Sequence, residues 1–187
     1  TLHGGYARYF TAPSLVSNPR VNTASFVGTS GAYEVTTNDQ LKAERSDYFD
    51  AGIAHKLNKN INLAFDTYYK EAKNMLDEHQ MANSLAYVAF NYDKGKIYGA
   101  EFKAEYEKDN FSGYFNLGTS RAQGKGFSSA QYLNSQAEIN YVANHNINLD
   151  HSQNYTAAIG ANYTYLQTKY SVDALYSSGL RTGQNNH

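Results

Sequence analysis

Residues 97–106 read Ile-Tyr-Gly-Ala-Glu-Phe-Lys-Ala-Glu-Tyr, and apolar and polar side chains alternate along them. In an extended chain one face would carry Tyr98, Ala100, Phe102, Ala104 and Tyr106. The opposite face would carry Glu101, Lys103 and Glu105. Alternation with a period of two predicts a β-strand that is apolar on one face and wet on the other.

The same alternation recurs in segments 48–57, 61–70, 111–120, 154–163 and 169–177. The apolar faces of the six segments carry no Asp, Glu, Lys or Arg. The charged residues all fall on the opposite faces: Asp50, Lys56, Asp66, Lys70, Glu101, Lys103, Glu105, Lys169 and Asp173. A further segment, 2–10, has the composition of a strand, but its pattern does not assign its faces. The sequence therefore predicts about seven strands.

The connections between the segments alternate in length. Tight polar turns at 58–60, 107–110 and 166–168 alternate with long polar segments at 12–44, 72–94 and 122–151. Transmembrane β-barrels have this arrangement, with short periplasmic turns and long extracellular loops. Tyrosines at the ends of the apolar stripes would suit the two membrane interfaces. We therefore predict an all-β fold, an antiparallel transmembrane β-barrel segment, although alternation alone would also suit a soluble β-sandwich.

Composition argues against several other classes of function. The 187 residues include 16 Lys+Arg and 17 Asp+Glu, which leaves no basic excess for nucleic acid. The absence of cysteine excludes disulfides and cysteine-ligated metals. No Gly-x-Ser-x-Gly elbow or phosphate-binding glycine loop occurs. We predict no catalytic residue, no cofactor and no enzymatic activity.

Four segments, taken in their order and spacing, are similar to a known family. They are 6–14 (YARYFTAPS), 41–48 (LKAERSDY), 99–102 (GAEF) and 177–183 (SSGLRTG). Together they resemble the C-terminal half of the barrel of TonB-dependent outer-membrane receptors. The resemblance implies a 22-stranded barrel in the outer membrane of a Gram-negative bacterium, closed by an N-terminal plug domain. Such barrels take up iron-siderophores, haem, cobalamin, other metal complexes or glycans with energy from the TonB complex.

We expect residues 1–187 to form one partial barrel domain, with the plug domain and the last barrel strands absent from this chain. Seven strands alone would leave open sheet edges in lipid, where backbone groups have no partners. The expected partners are outer-membrane lipid and the plug domain of the same full-length protein, with the TonB complex acting through the missing N-terminal part. Six residues are predicted to face the lumen or the plug: Asp50, Asp66, Glu101, Lys103, Glu105 and Asp173.

A small-molecule or metal-chelate ligand would meet the long segments first. Tyr87 and Tyr92 could stack on it, His145 lies in a long segment, and Arg181 could hold an anionic group through its guanidinium. A strand extension would explain the two tyrosines equally, and a role in the barrel rim would explain Arg181. We predict no metal site, because the spacing of the weak candidates His79, His145 and His151 matches no compact ligand motif.

The predicted function is TonB-dependent active transport of a scarce nutrient, with an iron-siderophore or another metal complex as the first candidate. A passive, porin-like barrel without a plug is one alternative. The other is a secreted β-rich adhesin or carbohydrate-binding domain, in which the apolar stripes would pack in a soluble core.

Overall fold

The computed structural model describes residues 1–13, 22–80, 87–150 and 152–180. Within them the chain forms eight strands and three short helices. The strands are β1 (Leu2–Thr11), β2 (Glu44–Asn58), β3 (Ile61–Gln80), β4 (Tyr87–Lys108), β5 (Phe111–Phe127), β6 (Ile147–Asn148), β7 (Tyr155–Tyr165) and β8 (Thr168–Ser177). The helices are η1 (Thr23–Phe26) and η2 (Gln131–Leu133), both 3₁₀, and α1 (Gln136–Asn144). No helix among the described residues is long and apolar enough to cross a membrane.

The long strands form a single antiparallel meander. Each pairs with the next along the chain, in the order β1-β2-β3-β4-β5-β7-β8, and the two-residue strand β6 pairs with the outer end of β5. Asp109 and Leu166 adopt positive φ angles of 52° and 53° in the tight turns that follow β4 and β7. Tight hairpin turns that contain a residue with positive φ match the right-handed twist of the flanking strands. The predicted antiparallel barrel segment is confirmed, with the seven predicted strands as its long strands.

The register collects the apolar stripes onto one side of the sheet, which we call the apolar face. One row across the long strands consists of Leu2, Ile53, Phe65, Phe102, Leu117, Ala157 and Tyr176. An aromatic row crosses β1 to β4 nearer the long segments: Tyr6, Phe49, Tyr69 and Tyr98. A second aromatic set lies near the short turns: Tyr106, Phe111, Tyr163 and Tyr170. The register also assigns the faces of β1, which the sequence pattern left open.

The opposite side of the sheet, the wet face, carries the charges. Asp66 is the register partner of Glu101, and the row that begins at Glu105 reaches Asp173 through Tyr114 and Gly160. All six residues predicted to face the lumen or the plug lie on this face: Asp50, Asp66, Glu101, Lys103, Glu105 and Asp173. Between the two aromatic sets the charge is therefore one-sided, which is the pattern of a sheet that separates two different environments.

Two of the predicted long loops are largely regular structure, which corrects the prediction for 72–94 and 122–151. β3 continues to Gln80, β4 begins at Tyr87 and β5 continues to Phe127. The alternation breaks at Asn74, where φ is 51°. An uninterrupted strand would place Lys73 and Met75 on the same face, but Lys73 is exposed and Met75 packs over the Gly95 backbone of the wet face. Sequence alternation therefore could not follow the strands past this point.

The hydrophobic core of the described residues lies at this outer end, on the wet face. Its buried members are Ala72, Met75, Phe90, Tyr92, Ala130, Tyr132 and Val142. Val142 belongs to α1, which begins with a capping box: the Ser135 hydroxyl accepts from the Glu138 N–H at 3.2 Å, and the Glu138 carboxylate accepts from the Ser135 N–H at 2.8 Å. The helix is thus held against the ends of the strands.

Candidate functional site on the wet face and its outer end

The middle of the wet face is a row of charged groups with partial internal pairing. His3 Nε2 lies 3.1 Å from Asp66 Oδ1, and Lys103 Nζ lies 3.4 Å from Glu101 Oε2. These side chains remain between a third and a half exposed. Asp66 and Glu101 are direct cross-strand partners of like charge, an arrangement that destabilises a sheet unless other groups offset it. The row is therefore suited to contact with a polar partner.

Tyrosines on the wet face lie across neighbouring strands. The Tyr48 and Tyr68 rings stack with centroids 6.4 Å apart, and the Tyr68 hydroxyl donates to Ser120 Oγ at 3.1 Å. Tyr68 covers the backbone of Gly99, where a Cβ would lie 2.6 Å from its hydroxyl oxygen. Glycine at this position leaves room for the ring. The wet face is thus lined by ordered phenol groups as well as by charges.

A buried ion pair marks the outer border of this row. Glu44 is only 6% exposed, and its carboxylate accepts from Lys70 Nζ at 2.7 Å and from the Leu76 N–H at 3.0 Å. The carboxylate thus accepts from two residues of β3, so the end of β2 is held against β3. The sheet consequently stays paired beyond the aromatic row.

Asn91 in β4 connects the segments that lie above the sheet. It is fully buried, and its side-chain amide donates to the carbonyl oxygens of Lys42 at 3.0 Å and Asn74 at 2.8 Å. Its Oδ1 accepts from the Lys42 N–H and from the Ser129 hydroxyl, both at 2.8 Å. The backbone also takes part, because the Ser128 N–H donates to the Asn91 carbonyl at 2.9 Å. One side chain thereby joins three parts of the chain.

The segments 22–43 and 128–150, which we call the outer cap, also bind each other. The Tyr132 N–H donates to the Thr37 carbonyl at 3.0 Å, and the Ala130 N–H donates to the Asp39 carbonyl at 3.2 Å. The Tyr33 and Tyr132 rings meet edge to face with centroids 5.1 Å apart. Burial raises the pKa of the Tyr132 phenol. The outer cap is therefore a folded unit packed on the wet face.

Tyr92, one of the residues predicted to contact a ligand, lies in the hydrophobic core and not on the surface. It is 6% exposed inside the core, and burial, with Asp77 and Asp150 nearby, raises its pKa. Tyr92 therefore supports the outer cap from beneath, which corrects its prediction as a ligand contact. Tyr87, by contrast, is 59% exposed at the start of β4.

His145 ends helix α1 and forms an aromatic pair that the sequence analysis missed. Its ring stacks on Tyr141 with centroids 4.2 Å apart and an interplanar angle of 10°. Its Nδ1 lies 2.9 Å from the Tyr141 carbonyl oxygen, and both residues are exposed. The signal for this pair in the sequence was the spacing of four residues between Tyr141 and His145, just after the capping-box pattern of Ser135 and Glu138.

The two metal candidates that the structure describes, His79 and His145, have aromatic neighbours. The His79 ring meets Phe90 edge to face, with centroids 6.3 Å apart. Among the described residues there is no group of three or more His, Cys, Asp or Glu side chains that could hold a metal ion. His151 and Arg181 lie outside the described residues.

The antiparallel meander, the face that is free of charge between its two aromatic sets, and the long outer segments together are the geometry of a transmembrane barrel wall. The family model described as TonB dependent receptor-like, beta-barrel, matches residues 1–185. The chain belongs to this family. None of the curated proteins compared with the chain matches it.

Family membership confirms the resemblance of the four segments and places the chain in a class of Gram-negative outer-membrane proteins. TonB-dependent receptors are transporters that act with a plug domain and TonB, and they are not a family of enzymes. The wet face and outer cap are thus parts of a transport barrel.

Proposed function

We propose that this chain is the barrel wall of a transporter that takes up a metal complex, an iron-siderophore first among them, through energy supplied by TonB. The outer cap would capture the complex and the wet face would line its route. The observation that carries this proposal is the attachment of the outer cap to the wet face through Asn91, since it gives the lumen side a preformed outer surface.

The apolar face would contact outer-membrane lipid. Between the two aromatic sets, Tyr98 to Tyr106 on β4 span nine residues, the number that a tilted strand needs to cross the hydrocarbon layer. Large apolar side chains on this face are exposed, with Phe65 at 47% and Ile159 at 56%. An exposed apolar face that extends across seven strands needs an apolar environment.

The charged row of the wet face would contact the plug domain of the full-length protein. Asp66 and Glu101 keep exposed carboxylate groups beside their partners, and such groups can accept hydrogen bonds from a polar surface. Movement of the plug under TonB would then expose this row to the arriving ligand. The remaining barrel strands and the plug would come from parts of the protein beyond this chain.

The outer cap favours a ligand that is neutral or positively charged. Its exposed rings include Tyr141 with His145, and Phe26, which is 38% exposed. The described residues of the outer cap carry four acidic side chains and one basic one: Glu34, Asp39, Glu138, Asp150 and Lys42. Because a polyanion would be repelled by this surface, we propose a neutral or cationic chelate over a trianionic one.

Uptake of labelled iron chelates by cells that carry the full-length protein tests the proposal. We expect accumulation of a neutral trihydroxamate chelate to exceed that of a trianionic tricatecholate chelate, and to stop when an uncoupler is added. Accumulation that an uncoupler does not affect would identify a passive pore and overturn the transport proposal. Energy-dependent uptake of the trianionic chelate alone would overturn the ligand assignment.

The double variant Tyr141→Ala, His145→Ala tests the ligand surface of the outer cap. We expect a weaker apparent affinity for the chelate with unchanged protein in the outer membrane. The matched control is Gln136→Ala, Asn140→Ala, which removes an exposed hydrogen-bonded pair at 3.0 Å from the same helix. Equal losses in both variants would contradict a contact at Tyr141 and His145.

A further inference from the structure

A row of four basic residues crosses the sheet on the side that carries the apolar face. Arg45 pairs in register with Lys73, Lys73 with Lys94, and Lys94 with Lys125. Arg45, Lys73 and Lys94 are exposed, and Lys125 is half-buried. The four residues come from four different strands, so only the register brings them together.

Further basic residues extend this row toward the aromatic row. We call the whole set the basic band: Arg8, Arg45, Lys73, Lys94, Lys96, Arg121 and Lys125. Two acids, Asp47 and Glu71, lie within it, and Asp93 borders it. Asp47 is already engaged, since Tyr6 donates to it at 2.7 Å and Arg8 at 2.9 Å.

The basic band has few neutralising partners in the part of the chain that the structure describes. Among the described residues, Arg8 is the one member of the band with an ion pair. Like charges directly opposite each other on neighbouring strands destabilise a sheet, because their Cβ atoms are about 5 Å apart. A row of four such residues is therefore suited to an external anion that lies against it.

The position of the basic band identifies the kind of anion. It begins at and just beyond the aromatic row of Tyr6, Phe49, Tyr69 and Tyr98, on the side of the long segments. Aromatic rows of barrels lie at the headgroup level of the membrane, and long segments lie on the extracellular side. The basic band therefore lies at the headgroups of the outer leaflet.

A groove joins the apolar face to the basic band at this level. It has a volume of about 610 Å³, and its lining includes Tyr69, Tyr98, Lys96 and Arg121. Aromatic rings and small side chains form the membrane side of the groove, Arg121 lies level with Tyr98 in the register, and Lys96 lies further out. A molecule with an apolar chain below and an anionic head above matches this distribution.

We propose that the basic band binds the phosphate groups of a phosphorylated glycolipid of the outer leaflet, with the lipid's acyl part against the apolar face. Lys and Arg side chains form charge-assisted hydrogen bonds to phosphate oxygens, and several together hold a multiply charged headgroup. The inference rests on the outer-membrane placement of the family. It does not depend on the metal complex proposed above.

Thermal melts of the full-length protein in nanodiscs test the proposal, with bisphosphorylated lipid A in one preparation and dephosphorylated lipid A in the other. Wild type should melt at a higher temperature with the phosphorylated lipid. The triple variant K73Q/K94Q/K125Q should lose this difference. It should also melt above wild type in the dephosphorylated lipid, because the repulsion within the row is removed.

Two further variants act as controls. K73R/K94R/K125R keeps the charge and should keep the phosphate-dependent shift. K56Q/K59Q/K108Q makes the same change in net charge at exposed positions near the short turns, and it should behave as wild type. If the triple glutamine variant does not fold, K94Q alone should reduce the shift.

Three results would overturn the proposal. They are a wild type without a phosphate-dependent shift, glutamine variants that keep the full shift, and an equal stabilisation by inorganic phosphate in the dephosphorylated lipid. The last result would indicate a site for a soluble anion. Because none of these melts measures uptake, a failure here is distinguishable from a failure of the transport proposal.

Discussion

At the scale of single residues, Asn91 determines how firmly the outer cap is attached. Asn91→Ala would leave the Lys42 N–H and the carbonyl oxygens of Lys42 and Asn74, all in part-buried hydrogen bonds, without their partners. Each unsatisfied buried group costs about 1–3 kcal/mol, so we expect the free energy of opening of the outer cap to fall by about 3 kcal/mol. Hydrogen exchange of the Ser128 amide in the full-length protein measures this opening, because the substitution keeps the Asn91 carbonyl to which that amide donates at 2.9 Å.

The exposed Asn144, whose amide donates to the Asn140 carbonyl at 3.2 Å, provides a matched control. Asn144→Ala should change the exchange rate of the Ser128 amide by an amount equivalent to less than about 0.5 kcal/mol. Unchanged exchange in Asn91→Ala would contradict the role assigned to Asn91.

Gly124 gives a second test at this scale. A Cβ there would lie 2.6 Å from Cγ of Tyr92, which is buried and cannot move aside. Gly124→Ala should destabilise the outer end by about 1–3 kcal/mol through overpacking. Gly4→Ala is the control, since its Cβ would meet only the Asp50 carbonyl oxygen at 3.5 Å. Equal melting temperatures for the two variants would argue against close packing at Gly124.

Sequence alone could assign the faces of Asp66 and Lys103, because period-two alternation fixes the side of each strand residue. It could not identify Asn91, whose partners Asn74, Ser129 and Lys42 are 17, 38 and 49 residues away. Tyr92 was misplaced for the same reason. Its burial depends on the outer cap, which no local pattern predicts.

At the scale of strands, the apolar face of β4 predicts a large difference between neighbouring positions. Ala100→Arg should destabilise the barrel by up to about 2–4 kcal/mol, because it places a charge on the lipid side between the two aromatic sets. Lys103→Ala, on the wet face, should cost less than about 1 kcal/mol, since Lys103 is half exposed and its pair with Glu101 is loose. The free energies of unfolding of the full-length barrel in lipid give both values, and equal costs would contradict the assignment of the faces.

The elements that sequence analysis missed share a physical cause. Beyond the aromatic row the strands no longer separate lipid from water, so β3 and β4 can bury residues on the wet face without keeping a period of two. Helix α1 did leave a signal in Ser135 and Glu138, three residues apart. Its packing into the core through Val142 could be found only from the folded chain.

At the scale of the whole molecule, the account requires two environments on the two sides of one sheet. The apolar face is free of charge between its aromatic sets, and the wet face carries the charges and the outer cap. The short turns and the long outer segments give this sheet its direction across the membrane. Ligand capture, contact with the plug and binding of outer-leaflet lipid all depend on this arrangement.

Spin-label accessibility along β4 tests the arrangement most directly. The chain contains no cysteine, so it adds no background thiol when single cysteines replace Ala100, Phe102, Ala104, Lys103 and Glu105 in the full-length protein. In lipid vesicles, labels at 100, 102 and 104 should be accessible to oxygen and protected from a polar nickel chelate, while labels at 103 and 105 should be protected from oxygen. Equal accessibility at all five positions, or the opposite alternation, would contradict the account.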